Sequence, residues 1–323
     1  MSKKARVQFI DVARGIAIIL MIIGHGLDKG IARDIIFSFH MPLFIIISGL
    51  FYKEKTFKEE FKDLFFKLFI PMSIAIIVVT MIKKVPDIGF YKSYIDSLKT
   101  IFVGWNYEYK IHYSVGKVEE LWFIYSLITI RLLFLINKKV SKKNELLLLL
   151  LVLGETYLGY LLGIRGYFLP WCFDISLASM IFYYFGYLLD KYKVLDKLIS
   201  NYLLLLIILV IWIVGIKYNP IELAVRIYPN GLWSYITAIC GSIIIIKISK
   251  IIDTYLDYIP YFLSWCGKNS LYILIGHYGE MNLIKYDLIK NKSLLIYLKI
   301  CISFTFGAII MSIYKLIDII KKH

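Results

Sequence analysis

Asp11, Arg14 and His25 stand in an otherwise apolar run, FIDVARGIAIILMIIGHG (9–26), long enough to enter a bilayer. An ionisable side chain at the centre of a membrane helix costs about 2.5–3.5 kcal/mol on the milder scales, so such groups face a protein interior or a water-filled path. Arg14 and His25 are eleven positions apart. At about 100° per residue they fall within roughly 20° of one helix face, about 16 Å apart along the axis. Asp11, three residues before Arg14, reaches the same side and can pair with it. A guanidinium near one membrane surface offers a fork for phosphate or carboxylate, and an imidazole at about mid-bilayer depth can take a proton near working pH.

The chain has five histidines, His25, His40, His112, His277 and His323, of which His25 and His277 lie well inside apolar segments. Their matching depth predicts that they line one cavity; the plainer expectation is that one of them bonds a neighbouring helix in the core. His40-Met41-Pro42 opens the second apolar segment. Proline fits a first turn, and His40 there is a cap, an interfacial residue or a substrate contact. Glu119-Glu120-Leu121-Trp122-Phe123 opens a later segment on the same side. Carboxylates accept sugar hydroxyls and an indole stacks on a sugar's C–H face, whereas an interfacial tryptophan belt is the plainer reading of Trp122. Asp174 is an isolated acid inside another apolar segment, which makes it a candidate for the substrate site. In Gly267-Lys268-Asn269-Ser270, Asn269 or Ser270 is expected to cap a helix whose free N–H groups suit an anion, with Lys268 beside them.

These residues must be positioned by membrane helices. Hydrophobic residues make up 59% of the 323-residue chain, mean hydropathy is +0.72, and many segments approach the ~20 apolar residues needed to cross a bilayer. The net charge of +15 sits in short loops, which reads as topogenic charge and not as a nucleic-acid surface. Cys172, Cys240, Cys266 and Cys301 lie in or beside apolar segments with no C-x-x-C pair, so they read as small core residues rather than zinc ligands or disulfides. No Walker or G-x-G-x-x-G pattern supports nucleotide chemistry. The first apolar run has no small-residue cleavage site and is expected to stay as a membrane helix.

Lys3, Lys4 and Arg6 place the N-terminus in the cytoplasm, and KKVSKK (138–143), Lys191, Lys193 and Lys197, and Lys321 and Lys322 mark further cytoplasmic loops and the C-terminus. The resulting expectation is an all-α, polytopic bundle of about ten spans in the cell membrane, forming one transmembrane domain over 1–323 with both termini inside. The segment KEKTFKEEFKDLFFK (53–67) is expected as an amphipathic helix on the inner surface, some of whose lysines could meet substrate phosphates. The stretch 83–119 is expected as an outside loop with short helical or re-entrant pieces near 94–104; its lysines at 83, 84, 92, 99, 110 and 117 run against the charge trend.

The run D-x-x-R-G-x-A-I-…-G-H resembles the first transmembrane helix of the acyltransferase-3 family. FHMPLFIIISGLF (39–51), LPWCFDISLASMIFYYFGYLL (169–189), LSWCGKNSLYILIGHY (263–278) and the Trp122-Phe123 pair resemble further elements of it, and the fucose 4-O-acetylase type is the nearest variety. The resemblance extends over most of the chain. It implies an integral membrane enzyme that moves acyl groups, commonly acetyl from acetyl-CoA, onto sugars and cell-surface polysaccharides. On this sequence it implies His25 as catalytic base with Arg14 and Asp11 supporting it. His277, Asp174, Glu120, Trp122, His40, Asn269 and Lys268 would serve substrate binding. Acyl-CoA is then the co-substrate with no other cofactor or metal, and the partners are a carbohydrate acceptor and the bilayer, with no nucleic acid. The alternative is a transporter of a small anion or acylated metabolite, with Arg14, His25 and Asp174 along its path. A transporter of that kind is expected to show internal repeats or paired broken helices, and the sequence shows neither.

Overall fold

The structure, a computed structural model, describes residues 3–106, 116–218 and 220–320, with side chains from Gln8 to Tyr314. Lys110, His112, Lys321, Lys322 and His323 lie outside the described residues, as do the side chains of Lys3, Lys4 and Arg6. An apolar chain in lipid must satisfy its backbone groups internally. Among the described residues every regular element is indeed helical.

Helix α1 (Lys3–Gly26) carries His25 in its last turn, further along the span than mid-depth. The expected second helix divides at Ser38 and Phe39 into α2 (Ile31–Phe37) and α3 (His40–Leu50). His40 starts α3 and Pro42 occupies its first turn, where no N–H is missed. Helix α4 (Phe57–Leu64) opens with a capping box between Thr56 and Glu59. It then passes through a π turn, Phe65–Phe69, into α5 (Ile70–Ile88). The expected surface helix over 53–67 therefore does not end there but runs on into the apolar α5 as one continuous helix. Pro71 removes one α-ladder donor, and the widened turn lies directly ahead of it.

Helix α6 (Phe90–Val103) forms where a helical or re-entrant piece near 94–104 was expected, is longer than that piece, and ends on Gly104 at φ 58°. Helix α7 (Trp122–Ser141) follows a 3-10 turn at Glu119–Leu121. Next come α8 (Glu145–Ile164), α9 (Phe173–Ala178) and α10 (Met180–Lys191), the last two meeting at 56°. The chain continues through α11 (Leu195–Ser200), α12 (Tyr202–Lys217), α13 (Leu232–Tyr255), α14 (Ile259–Lys268), α15 (Ser270–Leu283) and α16 (Lys292–Ile320).

Among the described residues six helices are long and apolar enough to cross a bilayer, or seven if the bent α9–α10 pair is one span. The fold is a helical membrane bundle with fewer qualifying helices than the ten spans expected. Three expected spans fall outside the set. Helix α7 carries Arg131, Lys138 and Lys139, α12 has 16 residues, and the ninth span is broken at Asn269 between α14 and α15.

Helix α1 packs against α3, α13, α14, α15 and α16. Its contact with α14 is backbone to backbone: a Cβ on Gly15 would lie 1.9 Å from the Leu263 carbonyl oxygen, and one on Gly267 1.9 Å from that of Asp11. Only glycine permits this approach, and it fixes the turn of α1 that carries Asp11 and Arg14.

Candidate active site

The end of α1 brings His25 into a small cavity of about 50 Å³, lined also by Phe37, His40, Glu120, Trp122 and the segment Ile221–Ala224. Phe37 packs edge-on to both imidazoles, with centroid distances of 5.7 Å to His25 and 4.9 Å to His40. His40 Nδ1 faces the Ile36 carbonyl oxygen at 2.9 Å, so in the neutral ring it carries the proton and donates. Trp122 is 5% exposed, which places it inside the bundle and not in an interfacial belt. Glu120 lines the same cavity, and its Oε2 is buried without a hydrogen-bond partner among the described residues. An orphaned carboxylate oxygen beside a cavity is free to accept from a water or another donor placed there.

His277 stands directly behind His25, ring centroids 5.2 Å apart, and is fully buried. The two imidazoles adjoin, but the cavity is lined by His25 and not by His277, against the expectation that both line it. Three residues on along α15, a Glu280 carboxylate oxygen lies 2.8 Å from His277 Nδ1, and Glu280 accepts from Lys299 Nζ at 3.1 Å. Ser303, also on α16, lies 3.2 Å from the same His277 nitrogen. With Nδ1 facing a carboxylate, the neutral ring keeps its proton there and its lone pair on Nε2, which has no partner among the described residues. This is the arrangement by which an acid orients an imidazole for proton transfer.

Lower on the same face of α1, Arg14 lines a second, larger cavity of about 170 Å³ together with Arg131 of α7. Arg14 Nη1 donates to Asp11 at 3.4 Å, and its guanidinium lies 5.3 Å from the Phe51 ring centroid. Arg131 Nε donates to Glu60 of α4 at 2.6 Å, and Glu60 also meets Lys55 at 3.3 Å. Met21, Met41 and Leu274 line both cavities, so the two adjoin at these side chains along the α1 face.

The other residues singled out from sequence are elsewhere. Asp174 is wholly buried in an ion pair with Arg226, at 2.8 and 3.3 Å, and also accepts from the Leu169 N–H. Arg226 follows the segment that covers the His25 cavity, so Asp174 bears on that cavity through its cover. Lys268 is exposed at the end of α14. Asn269 makes no side-chain cap: its Nδ2 donates backward to the Trp265 carbonyl oxygen at 2.8 Å. The capping expectation fails because α14 leads into α15 through a single residue, leaving Asn269 nearer the preceding turn. Glu60, Arg131, Glu280, Lys299 and Ser303 were not anticipated. Arg131 had a signal, being an arginine in an apolar run like Arg14, and Glu280 had one in its i+3 spacing from His277.

No match to the sequence was found among curated proteins. A protein family described as an acyltransferase domain matches residues 7–313, a range that contains both cavities and every residue of the His277 network. The chain belongs to the acyltransferase-3 family of membrane acyltransferases.

Proposed function

We propose that this protein is an integral membrane O-acyltransferase of the cell membrane, transferring an acyl group, acetyl from acetyl-CoA, to a hydroxyl of a sugar or cell-surface glycan precursor. The observation that carries the reading is the pair of cavities along one face of α1, Arg14 in one and His25 in the other, meeting at Met21, Met41 and Leu274. With the N-terminus in the cytoplasm, the donor enters at Arg14, whose guanidinium suits its phosphates. The thioester reaches toward His25 past the three apolar side chains, and the acceptor occupies the His25 cavity beside Glu120 and Trp122.

His25 then removes the hydroxyl proton as the oxygen attacks the thioester carbonyl. The new C–O bond forms, the C–S bond breaks, and the CoA thiolate leaves and is reprotonated. His277, oriented by Glu280, supports the proton held on His25. General-base action of this kind is worth about 10²–10⁴ in rate. Holding donor and acceptor in one geometry supplies the remainder.

The test is turnover of labelled acetyl-CoA by purified protein in liposomes against a panel of sugars and glycan precursors, with His25→Ala and Arg14→Ala alongside. Product formation by wild type that is lost in His25→Ala supports the reading. Wild type that neither binds the donor nor releases CoA with any acceptor overturns it.

A further inference from the structure

Arg131 is the second cation of the Arg14 cavity, and its place follows from the antiparallel run of α1 and α7. Trp122 at the start of α7 lines the His25 cavity, while Arg131, nine residues on, lines the Arg14 cavity. That is about 13.5 Å of helix, close to the roughly 16 Å between His25 and Arg14. Two guanidiniums from different helices thus converge on one space whose other walls are apolar except for Ser48 and Ser270.

Each guanidinium is tied down from outside the cavity. Asp11 takes Nη1 of Arg14, and Glu60 takes the Nε and Nη2 edge of Arg131. A guanidinium has five N–H donors, so each retains some for a second anion. Glu60 also meets Lys55, whose closer partner is Asp63. Like charges fixed around an apolar cavity repel more strongly than in water, and an anion between them removes that repulsion. Two planar forks brought to one cavity by different helices match an anion with two phosphate centres better than a single carboxylate.

We infer that Arg131 and Arg14 form a two-guanidinium clamp for a diphosphate group, with Glu60 holding Arg131 in position. Its assignment to the donor rests on the acyl-CoA reading above; the clamp itself rests on the two arginines. Inorganic pyrophosphate would bind there as the simplest carrier of the group, and acyl-CoA as the natural one. A donor without phosphates, S-acetyl-pantetheine, would gain nothing from Arg131.

The experiment uses full-length protein in detergent: wild type, Arg131→Gln, Arg131→Lys, and Glu60→Gln with Arg131→Gln together. Pyrophosphate binding is measured by calorimetry, and KM and kcat with acetyl-CoA and with S-acetyl-pantetheine. Arg131→Gln is expected to weaken pyrophosphate binding and raise KM for acetyl-CoA about ten- to hundredfold, the worth of one or two charge-assisted hydrogen bonds, with kcat nearly unchanged. KM for S-acetyl-pantetheine stays as in wild type, and Arg131→Lys falls between, keeping the charge without the fork. The double variant removes the unpaired Glu60 charge, so its fold is preserved while the binding loss remains. Restoration of affinity in the double variant would reduce Arg131 to a brace for Glu60 and overturn the clamp. So would acetyl-CoA affinity equal in all variants, or a KM that rises alike for both donors. Pyrophosphate binding that depends on Arg131, in a protein that does not bind acetyl-CoA, would keep the clamp and reject the donor.

Discussion

The Arg14 cavity and the His25 cavity lie along one face of α1 and are built on opposite electrostatic plans. In the first, the two guanidiniums are partly open, with side-chain exposures of 27% and 29%, and each is held from one side by a carboxylate. Behind the second, Glu280 and His277 are sealed at 0%, with Lys299 at 10% closing the pair. Open cations with spare donors can trade partners with an incoming anion. A sealed acid, imidazole and ammonium cannot exchange with solvent and can only hold one another in place. One end of the helix is therefore suited to binding something mobile, the other to keeping a proton-transfer group in a fixed tautomer.

The largest effect that sharpens this contrast is at His25. His25→Ala should lower acyl transfer about 10²–10⁴-fold while leaving the Kd for acetyl-CoA within a factor of two or so of wild type. Single-turnover kinetics with labelled donor, paired with equilibrium binding, separates the two quantities. A donor Kd that weakens along with turnover would mean that the two cavities are one site.

Next in size is a matched pair of acid-to-amide substitutions, one at each end. Glu280→Gln leaves the buried Lys299 without its counter-ion and should destabilise the protein by about 3–5 kcal/mol, part of which returns when Lys299→Met is added. Asp11→Asn removes a partner from a partly open arginine and should cost about 1 kcal/mol or less. Denaturant unfolding in detergent reads both. Equal losses would remove the distinction between a sealed and an open end.

The barrier between the cavities gives a smaller effect. Leu274→Trp adds bulk where the two spaces adjoin, so the donor should still bind at Arg14 while its acyl group is held short of His25. A displacement of ~1 Å at the reacting centre costs up to about a hundredfold in rate. Transfer falling to that degree with pyrophosphate binding intact is the expected result. An unchanged rate would mean that the acyl group takes another route.

Much of the Arg14 end was legible in the sequence because its relations are local. Asp11 and Arg14 are one turn apart on one helix, and the shared face with His25 follows from helical periodicity. The same rule that flags Arg14 as an ionisable group in an apolar run applies to Arg131, whose convergence on Arg14 needs the tertiary fold that brings α1 and α7 to one cavity. The His277 end was half legible: Glu280 lies at i+3, but its second partner, Lys299, comes from α16. Asp174 shows the limit most plainly. An intramembrane acid announces that a partner exists, yet Arg226 lies 52 residues away beyond α12 and α13 has still to pack against them. Helix breaks were equally hidden, since Ser38 and Asn269 interrupt runs whose hydropathy continues through them.

The smallest effect tests where the sealed end stops. The cover of the His25 cavity is tied at two points, by Arg226 to Asp174 in the interior and by Arg33 to Glu222 at the rim. The inner pair is 3% and 0% exposed, so breaking it strands a charge at the cost given above for Glu280. The rim pair has hydrogen bonds of 2.7 and 3.3 Å but side-chain exposures of 20% and 19%, and Arg33 is also held 3.9 Å over the Phe37 ring. The pair is only part-buried, so a double-mutant cycle of Arg33→Gln and Glu222→Gln should give a coupling of only about 0.2–1 kcal/mol. Raising the salt to about 1 M, where the screening length is ~3 Å, should shrink it further. A coupling well above 1 kcal/mol that resists salt would place the rim inside the sealed network. The acceptor would then have to enter through a covered cavity rather than past a loosely tied edge.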